Sequence, residues 1–592
     1  MANPNPNINL NILIGGAAGQ GVQTIGTFLA KMLFRSGLYV FCLQDYQSRI
    51  KGGENSFRVR LSNNNLTASV EKVDILVVLH KTAYTAHLSK VVPGGIILYD
   101  AGQIKPPFKL PGIAGIPMEE ISKTTGGDKS FTNMVALGAI GGILGFDLQS
   151  MHGVIEDKFT AKGKEIVDKN LACLKAGYEH AHTNYYHMQG ITLPLDARFI
   201  KRQNMHAKSK RVRTGGRVIM NGTESAGFGM LNAGLKFYAA YPMSPSTGMM
   251  VYLAGKAKKF NILVEQAEDE IAAIQMALGA SFAGARSAVG TSGGGFSLMV
   301  ESLSLAGITE TPLVIYIMQR PGPATGLPTR TEQADLEFAV HAGHGEFPRF
   351  VFAPGDPLEM FTTSINAFNL ADKYQVPVLI LGDQYLSDSY RVFDMPDITQ
   401  VRIEKQILPS SQQQSQYKRY KITDNGVSPR AIPGFGKGLV IADSDEHDEQ
   451  GHLTEDLNMR ILQVNKRMKK TEAMHKEIPK PTVYGDYNAE VRLICWGSTL
   501  GILQEVVDRL RKEARSISAV HFNGIWPFPK EDAARELLGA SRLIVVENNS
   551  QAQLARIIQA ELGIEIREKI LKYNGMQFFP EEVIAQIYGT GN

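Results

Sequence analysis

Cysteine is almost missing from this sequence. Its 592 residues hold three, Cys42, Cys173 and Cys495, far apart and never in a Cys-x-x-Cys pair. That spacing excludes a disulfide framework and any four-thiolate zinc or iron–sulfur site within the chain. If the reaction moves electrons, the clusters that carry them belong to another chain. A surplus of one charge is missing too: 62 basic residues stand against 58 acidic ones, a net charge of +4. So balanced a surface gives no general field for nucleic acid or an anionic membrane, and any charged site must be local. No uninterrupted apolar run reaches the roughly 18 residues of a membrane span, and the opening MANPNPNINLN has no basic-then-apolar targeting pattern. The expectation is a cytoplasmic protein with no membrane and no nucleic-acid partner.

What is present is α/β patterning in blocks, and the length predicts roughly three to five domains. Over 1–190 an apolar strand, Leu10 to Ile14, leads into GGAAGQG (Gly15 to Gly21) and then the helical stretch TIGTFLAKMLFRSG, with further strands at VDILVVL and GGIILYD. Strand, glycine loop and helix open a parallel unit, and glycine lets backbone approach a phosphate at a helix N-terminus. The spacing is not Gly-x-Gly-x-x-Gly, so a tight turn without ligand stands beside that reading. Residues 191–216 read as a linker; their basic run, KRQNMHAKSKRVR, lacks the aromatic residues on which nucleic-acid bases stack. Over 217–400 strands RVIM, PLVIYIM and VPVLILGD alternate with helices, 401–485 is a polar connector, and 486–592 is one more small α/β domain.

Chemistry gathers in the 217–400 block. In YPMSPSTGMM, from Tyr241 to Met250, two prolines preset the backbone and hydroxyls crowd between them. The spelling suits a loop aimed at a ligand, or a proline-capped turn opening the next helix. In QAEDEIAAI, Glu268 and Glu270 are two residues apart; on a helix that is about 200° of rotation, so one of them is expected to face solvent. In QRPGPATGLPTRTEQAD, Arg320 leaves a strand's carboxyl end, where ligands collect, and offers a planar fork for a carboxylate. An arginine that staples loop carbonyls is the other reading. Farther on, DEHDEQGH places His447 and His452 among acids; a solvated loop is expected there, since the spacing matches no standard metal site.

Together and in this order, these segments resemble the alpha subunits of the 2-oxoacid:ferredoxin oxidoreductases with the gamma subunit fused at the N-terminus. YPMSPST resembles the family's YPITPS loop, and EDEIAAI, TSGGG, QRPGPATGLPTRTEQAD, SPRAIPG, EHDEQG and the terminal PFP and ENN segments are similar to family motifs. The resemblance implies a multidomain α/β fold: a Rossmann-like gamma domain, a pyrimidine-type domain of thiamine diphosphate enzymes and a transketolase C-terminal-like domain. It implies that Tyr241, Pro242 and Ser244 face thiamine diphosphate and the 2-oxoacid. Ser244 stands for a threonine there, keeping the hydroxyl but losing the methyl that stiffens the rotamer. Glu270, rather than Glu268, is implied as the acid that protonates the cofactor's pyrimidine ring. Arg320 and Thr329 are implied at the substrate carboxylate, and Gly15, Gly19 and Gly21 are the candidate phosphate contacts for coenzyme A. Ala552 stands where the family's ENN segment more often has glycine.

The implied reaction is a CoA-acylating oxidative decarboxylation with two single-electron steps. SPRAIPG and EHDEQG resemble the 2-oxoglutarate subgroup, with a pyruvate or branched-chain enzyme as the near alternative. A nicotinamide dehydrogenase built on the N-terminal loop is the alternative from another class. Thiamine enzymes hold the diphosphate and magnesium with a Gly-Asp-Gly segment, because hard oxygen ligands suit that metal; this sequence has none. Half a site is therefore expected here. A beta subunit would supply the diphosphate, magnesium and iron–sulfur half, in a heterodimer or dimer of heterodimers, with ferredoxin as electron acceptor.

Overall fold

The structure, a computed structural model, describes residues 8–47, 53–105, 112–186 and 216–589. The basic run at 201–213 and nearly all of the expected linker lie outside the described residues. The chain divides into two compact units: Met1–Met220 with Ser389–Pro396 and Phe579–Glu581, and Asn221–Asp388 with Asp397–Phe578 and Glu582–Asn592.

The first unit is built on an eight-stranded sheet. Its order is Ile113–Ile116, Val91–Asp100, Val73–Val78, Asn9–Ala17, Glu54–Ser62, Tyr39–Asp45, Tyr390–Asp394, Arg217–Met220. Asn9–Ala17 runs parallel to Val73–Val78 but antiparallel to Glu54–Ser62, which is inserted between the first strand and Tyr39–Asp45. The opening is thus half of a parallel unit, and the sheet is mixed. RVIM, expected among the middle strands, is instead the edge strand of this sheet, paired with Tyr390–Asp394. The first strand also runs past Ile14: Gly15 and Gly16 belong to it, and a Cβ on Gly15 would come 2.7 Å from the Ala83 methyl. Gly15 is therefore a packing glycine beneath the helix Lys81–His87, not a loop glycine open to phosphate. On the other side the helix Thr132–Leu144, apolar nearly all round, is buried from Met134 to Leu144.

The second unit holds two parallel-rich sheets. The larger has the order Gly524–Trp526, Phe350–Phe352, Pro377–Asp383, Leu313–Gln319, Ser287–Thr291, Phe237–Ala240, Leu263–Gln266, with only Gly524–Trp526 antiparallel. Its central strands LVIYIMQ and PVLILGD are buried at every residue, as a sheet covered on both faces demands. The smaller has the order Thr482–Gly485, Ile517–Phe522, Val491–Trp496, Arg542–Glu547, Glu568–Leu571, antiparallel only at Thr482–Gly485. Each sheet has a point where the chain leaves two neighbouring strands in opposite directions. In the larger these are Phe237–Ala240 and Ser287–Thr291; in the smaller, Val491–Trp496 and Arg542–Glu547. Crevices at the carboxyl ends of such strand pairs are where open α/β sheets bind ligands.

The polar stretch after residue 400 carries little regular structure until the helix Leu457–Met474, yet it is fastened by buried charge. The Glu310 carboxylate, 1% exposed, takes Lys466 at 2.6 Å and Lys470, and these cations hold its pKa well below the ordinary carboxylate range against burial. Arg419 donates to the Glu310 carbonyl at 2.7 Å, and Arg430 pairs with buried Asp372 at 3.1 Å. His447 is fully buried, its ring 3.8 Å from that of Tyr420, which corrects the expectation of a solvated loop. The described residues contain no group of three or more potential metal ligands, and no helix among them is long and apolar enough to cross a membrane.

Candidate active site

Four segments converge on the carboxyl end of the larger sheet at its reversal point. After Ala240 the chain turns at Ser244–Ser246 and enters the helix Thr247–Ala254, so the proline-rich stretch is both loop and helix opening. The Ser246 hydroxyl and the Thr247 amide both donate to the Met243 carbonyl, at 2.8 and 3.1 Å. Tyr241 is 39% exposed, while Pro242 and Ser244 are half-buried.

The second segment brings Glu270. Its helix, Glu270–Phe282, starts at that residue, capped by the Asp269 carboxylate accepting from the Ala272 amide at 2.7 Å. Glu268 precedes the helix, so helical rotation does not separate the two acids; the cap does. Glu268 is exposed, and Glu270 is buried with its Oε1 lacking any hydrogen-bond partner. The third segment, the short helix Gly293–Leu298 after Ser287–Thr291, is shaped around this carboxylate: a Cβ on Gly295 would lie 2.7 Å from Glu270 Oε1, and one on Gly293 would strike the Asp335 carboxylate. Those two glycines are required by close approach rather than by backbone angle.

The fourth segment leaves Leu313–Gln319. Arg320 donates through Nη1 to the Ser244 carbonyl at 2.7 Å, so the stapling reading is true of one nitrogen; its buried Nε has no partner. Burial lowers its pKa, opposed first by the charge of Asp335 and then by that of Glu270. Thr329 lies half-buried nine residues farther along the same loop. Asp335, which sequence reasoning did not single out, ends the motif. Its amide donates to Gln319 Oε1 at 2.9 Å, and burial pushes its carboxyl up to about 6 despite the pull of Arg320. Glu332 rises to about 7 through burial and the charge of Asp335.

A buried carboxylate with an unpartnered oxygen fits a planar nitrogen heterocycle that must be protonated or hydrogen-bonded there, as the pyrimidine ring of thiamine diphosphate would be. In the first unit, a cavity of about 1080 Å³ lies at the N-terminus of the 14-residue helix Val22–Arg35, lined in part by Gly19, Gly21, Lys129 and Asn133. Gly19 has φ 91° and open space where a Cβ would be. Asp100, Glu119 and Asp128 share that lining, so the backbone at Gly19 and Gly21 and the Lys129 ammonium are what it offers a phosphate.

Gln333 was equally unforeseen. Its side chain is fully buried at the reversal point of the smaller sheet, where Oε1 accepts from the Asn548 amide and the Thr499 hydroxyl, both at 2.9 Å, and Nε2 donates to the Trp496 carbonyl at 2.8 Å. The available signal was that Gln333 and Asp335 share the motif of Arg320; nothing in the spelling separated anchor from site.

Three family profiles cover the chain in order. They are "Pyruvate ferredoxin/flavodoxin oxidoreductase" over 11–180, "Pyruvate flavodoxin/ferredoxin oxidoreductase, thiamine diP-bdg" over 228–466 and "Pyruvate:ferredoxin oxidoreductase core domain II" over 489–589. The 2-oxoacid:ferredoxin oxidoreductase subunit alpha of Sulfolobus sp. is 32% identical over 97% of this chain and 96% of its own length. The 2-oxoglutarate oxidoreductase subunit KorA of Mycobacterium tuberculosis is 28% identical over 97% and 90%. Among solved structures, the 2-oxoglutarate:ferredoxin oxidoreductase of Magnetococcus marinus, with 2-oxoglutarate, coenzyme A and succinyl-CoA bound, superposes with TM-score 0.87 at 32% identity, covering 98% of this chain and 99% of that one. Matched from end to end, the chain belongs to the 2-oxoacid:ferredoxin oxidoreductases, as an alpha subunit.

Proposed function

We propose that this chain is the alpha subunit of a CoA-acylating 2-oxoglutarate:ferredoxin oxidoreductase whose active site is completed by a beta subunit. The carrying observation is Glu270, a buried carboxylate with an unpartnered oxygen at the open reversal point of the larger sheet. Thiamine diphosphate, when bound, supplies the stabilised carbanion that lets a 2-oxoacid lose carbon dioxide. Glu270 holds and returns the proton of its pyrimidine ring. The proline-held loop presents the Ser244 hydroxyl to the keto oxygen, with Tyr241 and Pro242 walling the cofactor. Arg320 takes the substrate carboxylate through its unpartnered Nε edge, with Thr329 beside it. The balance is one 2-oxoglutarate, one coenzyme A and two oxidised ferredoxins giving succinyl-CoA, carbon dioxide, two reduced ferredoxins and a proton.

The choice of 2-oxoglutarate is supported by the names of the Mycobacterium and Magnetococcus relatives. A beta subunit that brings magnesium and an iron–sulfur cluster is supported by the missing Gly-Asp-Gly and the scattered cysteines. The helices leaving the site loops also expose Val251, Ile271 and Leu298, at 64%, 48% and 51%, a face that a second chain would cover. Coenzyme A is assigned to the first unit's cavity through Gly19, Gly21 and Lys129. The test is a dye-reduction assay of the assembled complex with coenzyme A and 2-oxoglutarate, pyruvate or 2-oxoisovalerate. 2-Oxoglutarate should give the highest kcat/KM, and Arg320→Lys should raise KM about tenfold because lysine cannot form the two-point contact. A higher kcat/KM for pyruvate overturns the substrate; an unchanged KM in Arg320→Lys overturns the carboxylate contact.

A further inference from the structure

The first unit holds a hydrogen-bonded chain of three titratable side chains that the proposed reaction does not use. Glu54 opens the strand Glu54–Ser62 opposite Ala17, His87 ends the helix Lys81–His87, and Lys90 ends the single 3₁₀ turn, Leu88–Lys90, that follows. In such a turn side chains three apart lie one above the other, which brings Lys90 back over His87. Glu54 Oε1 lies 2.6 Å from His87 Nε2, and Lys90 Nζ lies 3.2 Å from His87 Nδ1. A carboxylate accepts and an ammonium donates, so Nε2 carries the ring proton and Nδ1 offers its lone pair to Lys90. Gly15 runs beside both partners: a Cβ there would lie 3.4 Å from Glu54 Oε1 and from His87 Cδ2.

A lysine with a purely structural role usually ends on a carboxylate. Lys90 does not: among the described residues no carboxylate stands within ion-pair distance of it, and its hydrogen bond goes to the imidazole. Burial, and after it the charge of Arg58, lowers its pKa against the pull of Asp45, Glu54 and Glu71. Arg58 spends Nη1 on the Val70 and Glu71 carbonyls, both at 3.0 Å. His87 is 5% exposed while Lys90 is half-buried, so the chain runs from a closed ring to a partly exposed amine. An N–H on an imidazole whose other nitrogen is held by a carboxylate is the arrangement that activates a nucleophile.

We propose that Lys90 is an acylation site, a nucleophilic amine that takes the acyl group of a coenzyme A thioester, with His87 as its base and Glu54 orienting the ring. The Lys90 ammonium first gives one proton to solvent. The neutral amine keeps an N–H on His87 Nδ1 and attacks the thioester carbonyl with its lone pair. The C–N bond forms and the C–S bond breaks; the N–H proton passes to Nδ1 and then to the departing thiolate, leaving an amide on Lys90 and free coenzyme A. No oxidant or reductant is needed. The choice of a thioester as donor rests on the proposed reaction, which releases one.

Supplying the thioester directly tests the lysine apart from that reaction. The assembled complex is incubated with isotopically labelled acetyl-CoA from pH 7 to 9, and label on each lysine is followed by peptide mass spectrometry. At pH 7 Lys90 should react about tenfold or more faster than the median lysine, and its rate should level off at a lower pH than theirs. His87→Asn, whose amide oxygen accepts the lysine hydrogen bond but cannot take its proton, should slow Lys90 about tenfold or more and leave the other lysines unchanged. Glu54→Gln should slow it less. Lys90 reacting no faster than the median lysine overturns the proposal on the parent alone, and so does His87→Asn with the parent's rate at Lys90. Fast, His87-dependent labelling in a complex that prefers pyruvate to 2-oxoglutarate upholds the acylation site and overturns the proposed substrate only.

Discussion

The two parallel-rich sheets of the second unit meet the same geometric situation in opposite ways. Each has a crevice at the carboxyl ends of two strands whose connections diverge. In the smaller sheet that crevice is filled from within: every polar atom of the Gln333 side chain is paired, Asn549 donates to its carbonyl at 3.0 Å, and the one orphan beside it is the neutral Asn548 Oδ1. In the larger sheet the crevice holds Glu270 with an unpartnered oxygen and Arg320 with an unpartnered Nε, both buried atoms. Buried polar groups without partners are costly, and a fold tolerates them where a ligand will complete them. The two crevices therefore differ in what they leave unpaired, a carboxylate and a guanidinium nitrogen in the larger against a single neutral amide oxygen in the smaller, and one stretch, Arg320 to Asp335, reaches both.

Breaking the open side should have the largest effect. Glu270→Gln keeps the shape of the side chain but cannot hold and return a proton, so turnover of the assembled complex should fall by about 10²–10⁴-fold. Glu268→Gln, at an exposed position ahead of the helix cap, should stay within about twofold of the parent. Steady-state dye reduction on both variants checks this, and comparable losses in the two would remove Glu270 from the site.

Breaking the filled side should cost stability rather than chemistry. Gln333→Ala strands the Asn548 amide, the Thr499 hydroxyl and the Trp496 carbonyl, all buried, at about 1–3 kcal/mol for each group that water does not reach. A fall of several degrees in the unfolding temperature is expected, with KM for the 2-oxoacid within about twofold of the parent if the two crevices are independent. Thermal scanning fluorimetry beside a KM measurement decides it; a large KM change with little loss of stability would mean that Gln333 serves the open crevice as well.

Much of this division was legible in the sequence, and the limit of legibility has a physical cause. Strands such as PLVIYIM and VPVLILGD announce themselves because a strand covered on both faces must be apolar throughout. Glu270 and Arg320 stand out through motif resemblance, not through periodicity or composition. The burial of His447 and the helix Leu457–Met474 were hidden because that helix's buried face is made of Gln463, Lys466, Arg467, Lys470 and Met474. Lysines and arginines paired inside, with Glu310 and Glu446 among their partners, read as solvated surface until their partners, more than a hundred residues away in one case, are brought alongside. RVIM was assigned to the wrong neighbours for a similar reason: periodicity identifies a strand, and only long-range pairing says which sheet it joins.

The smallest expected effect lies beside the filled crevice. Ala552, where the family more often has glycine, precedes the helix Gln553–Leu562 with φ 51° and ψ 56°, a left-handed conformation that disfavours any side chain, and its amide donates to the Asn549 side chain at 2.8 Å. Ala552→Gly relieves about 1 kcal/mol or a little more of that backbone cost. Against it stand the loss of a fully buried methyl, about 0.8 kcal/mol, and the greater freedom that glycine gives the unfolded chain, about 0.4–1 kcal/mol. The terms nearly cancel, so the unfolding temperature should move by no more than about 2 °C in either direction. Ala552→Val adds a branch at an angle that branched residues scarcely adopt, inside a closed core, and should lower it by clearly more. If glycine instead stabilises strongly, the Ala552 methyl is not packed as the structure places it; if valine is neutral, the turn that carries Asn548 and Asn549 to Gln333 is looser than a filled crevice requires.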